Sequence, residues 1–168
     1  VLFCDLVSST ALAERLDPEH LREVVRHYQT ACAEAIEPFG GHIAQYLGDG
    51  VLVYLGYPQA HEDDAHRAVH AGLAILQRLQ PLNERLQRER DIRVEVRIGI
   101  HTGPVVAGTM GAGGRSEQLA VGQTPNIAAR LQGLAEPDTV VISASTYALV
   151  QGFFACEPLG AQALKGLS

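Results

Sequence analysis

Two aspartates stand where a carboxylate could take part in chemistry. Asp5 lies within the apolar stretch "VLFCDLV", and Asp49 lies within "QYLGDG" between two apolar runs. A carboxylate inside a buried strand is costly unless it has a partner. If the first strand lies beside a strand hairpin at 43–55, Asp5 and Asp49 can face the same point, and their repulsion favours a cation between them. Such oxygen ligands suit Mg²⁺ or Mn²⁺, and two ions about 4 Å apart can assist phosphoryl transfer.

Each aspartate also has a purely structural interpretation. A strand-end aspartate such as Asp5 can cap the helix that follows it. Asp49 followed by Gly50, with apolar residues on both sides, is a strong signal for a tight hairpin turn. Taken alone, neither residue decides between a structural and a chemical role.

The segment after Asp5 is suited to an anion. Residues 7–10 read "VSST", and small polar residues at a helix N-terminus present backbone N–H groups to a negatively charged ligand. An ordinary helix cap is the alternative. Next to Asp5, the segment is a candidate phosphate cradle.

A helix predicted over "TPNIAARLQ", residues 124–132, carries a second polar pair. Asn126 and Arg130 are four residues apart, so they share one side of the helix, at the edge of its apolar face. An arginine directed at a phosphate can stabilise the charge that develops during phosphoryl transfer. A solvated helix flank is the alternative for either residue.

Composition restricts the class of protein. The 168 residues carry a formal net charge of −6, which argues against a nucleic-acid-binding surface because such a surface needs a basic stripe. The cysteines Cys4, Cys32 and Cys156 form no CxxC pair, so we expect no disulfide framework or structural zinc, and a reducing, cytoplasmic setting. No apolar run reaches the roughly 20 residues that cross a bilayer. The chain starts without Met, so we expect residues 1–168 to be a single domain excised from a longer protein.

Periodicity predicts an α/β fold. The expected core order is β-α-β-β-α-β, the split βαβ pattern of ferredoxin-like folds, with a hairpin, a helix and further strands appended. The second long helix is predicted over about 61–79, and the strand at 94–100 alternates as if one face were exposed. His61, His66 and His70 lie on or near this helix, and the i, i+4 spacing of the last two could bind a metal; without an HExxH pattern, a solvated helix flank is the prediction. The late segments "TVVIS" and "FFACEPL" are both predicted to be strands.

Five segments in this order resemble the catalytic domain of the class III nucleotidyl cyclases, the adenylate and guanylate cyclases. They are "FCDLVSST", "GDGVLVYLG", "RIGIHTGPVVAGTMG", "AVGQTPNIAARL" and the terminal "LKG". The resemblance covers nearly the whole chain. It implies the class III cyclase fold, and a head-to-tail homodimer whose nucleotide sites are each built from both protomers.

The resemblance also implies roles for individual residues. The metal ligands would be Asp5, Asp49 and the Leu6 carbonyl. Asn126 would orient the ribose and Arg130 would stabilise the transition state, both from the protomer opposite the aspartates. The triphosphate would be held by the amides of Val7, Ser8, Ser9 and Thr10, with Lys165 reaching its distal phosphates.

The base-recognition pair departs from the family pattern. Where this chain has Gln45, adenylate cyclases usually carry Lys and guanylate cyclases usually carry Glu. The second base-recognition position is Leu119 in this chain; adenylate cyclases usually have Asp or Thr there, and guanylate cyclases usually have Cys. Gln45 can both donate and accept, whereas Leu119 can only pack. We therefore expect poorer purine discrimination than in the standard enzymes.

We interpret the chain as an adenylate cyclase domain that converts ATP to 3′,5′-cyclic AMP and pyrophosphate with two Mg²⁺ or Mn²⁺ ions. The alternatives are a catalytically weak or silent dimerisation or nucleotide-sensing module, and a cyclase that also uses GTP. Another ferredoxin-like phosphoryl transferase is disfavoured by the lack of a "GGDEF"-like turn and of a basic face.

Overall fold

The computed structural model describes residues 1–110 and 117–164, with side chains described outside 107–121. Its elements in chain order are β1 (Leu2–Leu6), α1 (Ser9–Arg15), α2 (Pro18–Ile36), a short 3-10 helix (Glu37–Phe39), β2 (His42–Leu47), β3 (Gly50–Tyr54), α3 (Asp64–Arg90), β4 (Val96–Ile100), β5 (Val106–Met110), β6 (Glu117–Val121), α4 (Gln123–Leu134), β7 (Thr139–Ile142) and α5 (Ala144–Val150).

Five strands form one sheet in the order β2-β3-β1-β4-β7, and β5 pairs with β6 in a separate two-stranded arm. The β1–β3, β1–β4 and β2–β3 pairs are antiparallel, whereas β4 and β7 run parallel. Strand β1 therefore lies between β3 and β4, as expected for the split βαβ arrangement. The predicted ferredoxin-like core with an appended hairpin and helix is confirmed, and of the further strands predicted after them β7 forms.

One face of the sheet packs against α2 and α3. Successive residues of a strand point to opposite faces, and β1 alternates accordingly, with Leu2, Cys4 and Leu6 buried. These side chains join one apolar cluster with residues of both helices, among them Tyr28 and Ile75, each fully buried. Phe3 and Asp5 consequently lie on the opposite face.

Helix α4 covers part of that opposite face. A Cβ at Gly99 of β4 would overlap the Ala128 carbonyl oxygen and the Gln132 amide nitrogen. The helix backbone therefore lies directly on the strand, which only glycine permits at this position. The expectation of an exposed face along this strand is wrong here, because both faces are covered at Gly99.

Two predicted elements differ in extent. Helix α3 runs to Arg90 rather than ending near residue 79, because Leu79, Leu82 and Leu86 continue its buried face while Pro81 lies on the exposed side. The segment "FFACEPL" forms no strand in the described residues; only an isolated bridge joins Gln151 to Phe154.

The aromatic residues of that late segment pack on α3 instead. The ring centroid of His66 lies 4.7 Å from that of Phe153, and the ring centroid of His70 lies 4.9 Å from that of Phe154. The ring of His70 also stacks on Phe39 at 5.7 Å. The interpretation as a solvated flank is wrong for His66, which is half-buried against Phe153, whereas His70 is exposed, as predicted, although its ring contacts Phe39 and Phe154.

Candidate active site

The structure brings Asp5 and Asp49 together. Asp5 is half-buried on β1, and Asp49 lies in the two-residue turn between β2 and β3, where Gly48 has φ +64°. Burial, the neighbouring Asp49 charge and, to a smaller extent, a hydrogen-bonding interaction with the Asp49 side chain raise the pKa of Asp5 to about 6, so the two carboxyl groups lie close together. The Leu6 amide opposes this shift by donating to Asp5 Oδ1 at 3.0 Å. Without a cation, the carboxyl pair therefore keeps one proton up to about pH 6, well above the ordinary range of an aspartate.

Gly50 lets the hairpin approach β1 closely. A Cβ at this position would lie 3.1 Å from Phe3 Cζ and 3.2 Å from the Leu47 carbonyl oxygen. It would also lie 3.7 Å from Asp5 Oδ1. A side chain at Gly50 would push the turn, and with it Asp49, away from Asp5.

The donor set of this pair fits a hard divalent cation. Two carboxylates that repel each other at short range gain from a cation in place of the shared proton. Within the described residues no cluster of three or more His, Cys, Asp or Glu side chains could hold a metal ion. Further ligands would have to be backbone carbonyls, water or a substrate, which is the usual situation for Mg²⁺.

The turn after β1 has fewer free backbone amides for a phosphate than predicted. The Val7 amide donates to the Glu95 carbonyl at 2.8 Å and so already has an acceptor. Ser8 precedes α1 with φ 55° in the left-handed region. The amides of Ser8, Ser9 and Thr10 begin the helix, where N–H groups have no intrahelical acceptor.

Arg97 is a further residue of the site, and no sequence pattern had indicated it. It lies directly opposite Asp5 in the β1–β4 ladder, so the two side chains emerge on the same face. Its Nε is buried and has no hydrogen-bond partner among the described residues. Strand alternation puts Arg97 on the same face as Gly99, but only the register between β1 and β4 places it beside Asp5.

Asn126 and Arg130 both project from α4, on the same side as predicted. Asn126 is exposed, and Arg130 is half-buried. Arg130 Nη1 is buried without a partner in the described part of the chain. A buried donor without an acceptor is uncommon in folded proteins, so an incoming acceptor such as a phosphate would satisfy it.

The remaining predicted site residues are Gln45, Leu119 and Lys165. Gln45 is half-buried on β2, opposite Leu52 and next to a register shift between Ile43 and Gln45. Leu119 lies on β6 opposite Gly108, but its side chain falls in the part that is not described. Lys165 lies outside the described residues.

Comparison with known proteins identifies the family. Residues 1–168 match the family described as the adenylate and guanylate cyclase catalytic domain. Adenylate cyclase 1 of Rhizobium meliloti is 30% identical over 169 residues, which cover 99% of this chain and 25% of that protein. The chain thus spans about a quarter of the curated relatives that it matches first.

Solved structures agree with this assignment. The crystal structure of the adenylyl cyclase CyaB from P. aeruginosa matches with a TM-score of 0.94 and 30% identity, covering 99% of this chain and 87% of that one. The guanylyl cyclase Cya2 matches with a TM-score of 0.85 and 31% identity, over 96% of this chain and 85% of that one. This chain therefore belongs to the adenylate and guanylate cyclase catalytic-domain family, the class III nucleotidyl cyclases, which are lyases.

Proposed function

We propose that this chain is an adenylate cyclase domain that converts ATP to 3′,5′-cyclic AMP and pyrophosphate. The observation that carries the proposal is the contact between the carboxyl groups of Asp5 and Asp49, with Arg97 opposite Asp5. Two carboxylates this close repel each other once both are ionised, and a divalent cation between them relieves that repulsion. An arginine beside them can attract the phosphates that accompany the metal.

Asp5, Asp49 and the Leu6 carbonyl would hold Mg²⁺ or Mn²⁺. When bound, two such ions supply a lowered pKa at the ribose 3′-hydroxyl and neutralise charge on the triphosphate. The amides of Ser8, Ser9 and Thr10 hold phosphate oxygens at the start of α1. Distal phosphates would be reached by Lys165.

Two residues of α4 would act on the reacting part of the nucleotide. Asn126 hydrogen-bonds the ribose and so holds the 3′-hydroxyl in line with the α-phosphate. Arg130 donates to the phosphate oxygens as negative charge develops on them. Its unpartnered Nη1 is consistent with a donor that finds its acceptor only in the complex.

The site would be composite, with the aspartates from one protomer and α4 from its partner in a homodimer. Relatives of both substrate classes match this chain, so the purine must be inferred from Gln45 and Leu119. An amide can pair with adenine or guanine, and an aliphatic side chain cannot select either. We therefore propose ATP as the substrate, with GTP accepted at a kcat/KM within about tenfold of that for ATP.

Subunit complementation tests this proposal. Asp49→Ala and Arg130→Ala chains, carrying different affinity tags, are co-expressed and the heterodimer is purified over both tags. A composite site leaves each heterodimer with one intact site and one doubly defective site, so turnover of ATP with Mn²⁺ should be about half that of wild type. Each variant alone should be inactive.

Other outcomes separate the alternatives. A heterodimer without activity, beside an active wild type, would show that both residues act within one protomer. Wild-type protein that binds ATP or GTP by calorimetry but forms no cyclic nucleotide with either would identify a silent nucleotide-sensing module. The departures at Gln45 and Leu119 favour that second candidate.

A further inference from the structure

The segment of residues 101–104, which follows β4, contacts both α4 and α5. His101 Nδ1 lies 2.8 Å from Ser143 Oγ, and the hydroxyl of Thr102 lies 2.8 Å from that of Thr146. Ser143 is the N-cap of α5, and its amide donates to the Ile100 carbonyl at 3.0 Å. The start of α5 therefore holds this segment through side chains and holds the adjoining end of β4 through backbone.

The other side of the segment meets α4. The Thr124 hydroxyl donates to the Pro104 carbonyl at 2.7 Å, and Thr124 is 3% exposed. A Cβ at Gly103 would lie 2.8 Å from Thr124 Oγ1, so glycine is what allows this close approach. The N-cap of α4 is Gly122, which has no side chain to cap the helix.

Helix α4 is thus attached to the rest of the chain in two different ways. Its middle lies on β4 through backbone contact at Gly99, which resists translation towards the sheet. Its N-terminal turn is oriented by the bond from Thr124 to Pro104, because rotating the helix would leave a buried hydroxyl without an acceptor. Asn126 follows Thr124 by two residues, within the same helical turn.

We infer that Thr124 is a positioning residue for the cyclase reaction: its bond to the Pro104 carbonyl sets the orientation of the first turn of α4, and hence of Asn126. The hydroxyl pair Thr102–Thr146 supports it by fixing residues 101–104 against α5. The inference rests on the proposed function, in which Asn126 holds the ribose. A displacement of Asn126 spoils alignment of the ribose hydroxyl more than it weakens contacts with the rest of the nucleotide.

Three variants test the inference in the full protein with ATP and Mn²⁺. Thr124→Val keeps the shape of the side chain and removes the hydroxyl, so kcat should fall about tenfold while KM changes less than about twofold. Thr124→Ser retains the hydroxyl and should restore most of kcat. Thr139→Val is the control for loss of a threonine hydroxyl at an exposed position, since Thr139 donates a local bond to the Glu136 carbonyl at 2.7 Å, beyond the other end of α4.

A second measurement separates this inference from the proposed function. Amide hydrogen exchange over residues 123–130 should accelerate in Thr124→Val and stay as in wild type in Thr124→Ser and Thr139→Val. If Thr124→Val does not fold, Thr102→Val should show a smaller fall in kcat and a smaller rise in the same exchange rates.

Several results would contradict the role of the Thr124 hydroxyl. A Thr124→Val enzyme with kcat within twofold of wild type overturns the inference, as does an equal loss in Thr139→Val. Loss in Thr124→Ser as large as in Thr124→Val shows that packing of the methyl group, not the hydrogen bond, is responsible. An inactive wild type refutes the proposed function; unchanged exchange in Thr124→Val then refutes the orienting bond as well.

Discussion

Replacing Asp49 by Asn should stabilise the metal-free protein while it removes a metal ligand. The reason is the raised pKa of Asp5, which is caused first by burial and second by the Asp49 charge. The folded state keeps a proton on Asp5 that the unfolded chain releases. Folding stability therefore falls as pH rises from 3.8, the ordinary value, through the folded value of about 6.

The size of the effect follows from that pKa difference. A shift of about two units corresponds to roughly 3 kcal/mol for a group shielded from solvent. Asp5 is only half-buried, so solvent screening reduces this figure, and Asp49 is the second cause rather than the first. We expect Asp49→Asn to raise the free energy of unfolding by about 1 kcal/mol at neutral pH and by close to zero near pH 4.

Urea unfolding in EDTA at about pH 4 and about pH 7.5 measures this difference. Glu62→Gln is the control, because Glu62 is an exposed carboxylate in the loop before α3 and should change stability little at either pH. Mn²⁺ at 100 times its dissociation constant should then stabilise wild type by about 2.7 kcal/mol, and Asp49→Asn by much less. The order of stabilities should thus reverse when metal is added.

Two results would refute this reasoning. If Asp49→Asn is less stable than wild type in EDTA at neutral pH, the Asp5–Asp49 contact is not repulsive. If its gain in stability is the same at both pH values, the gain does not arise from the titration of Asp5.

Two further predictions concern the parts that hold the site. Gly99→Ala forces a methyl group into the Ala128 carbonyl of α4 and should lower the free energy of unfolding by about 1–3 kcal/mol, measured in urea. As a control, Gly133→Ala on the open side of α4 should be neutral or stabilising by up to about 1 kcal/mol. Asn83→Leu should cost about 2–4 kcal/mol by the same assay, because the buried Asn83 amide accepts from the Val94 amide at 2.8 Å and donates to its carbonyl at 2.9 Å.

Most secondary structure was predictable from local patterns. Asp17 before Pro18 predicted the start of α2, and the Asp17 carboxylate accepts from the His20 amide at 2.9 Å as a helix cap should. Predictions of secondary structure failed where contacts with residues distant in sequence decided the conformation of a segment. Residues 153–154 have strand propensity, but their rings contact His66 and His70 on α3 and they form only an isolated bridge.

By itself, the sequence determined the strands, the helices, the "GDG" turn and the residue types at the site, because these depend on contacts between near neighbours. The tertiary structure decided which of these residues meet. Three such contacts join residues far apart in sequence: the strand register that sets Arg97 opposite Asp5, the hydrogen bond from the Val7 amide to the Glu95 carbonyl, and the hydrogen bond from Thr124 to Pro104. No local pattern specifies such pairs, since shifting a strand by one residue moves every side chain to the other face of the sheet.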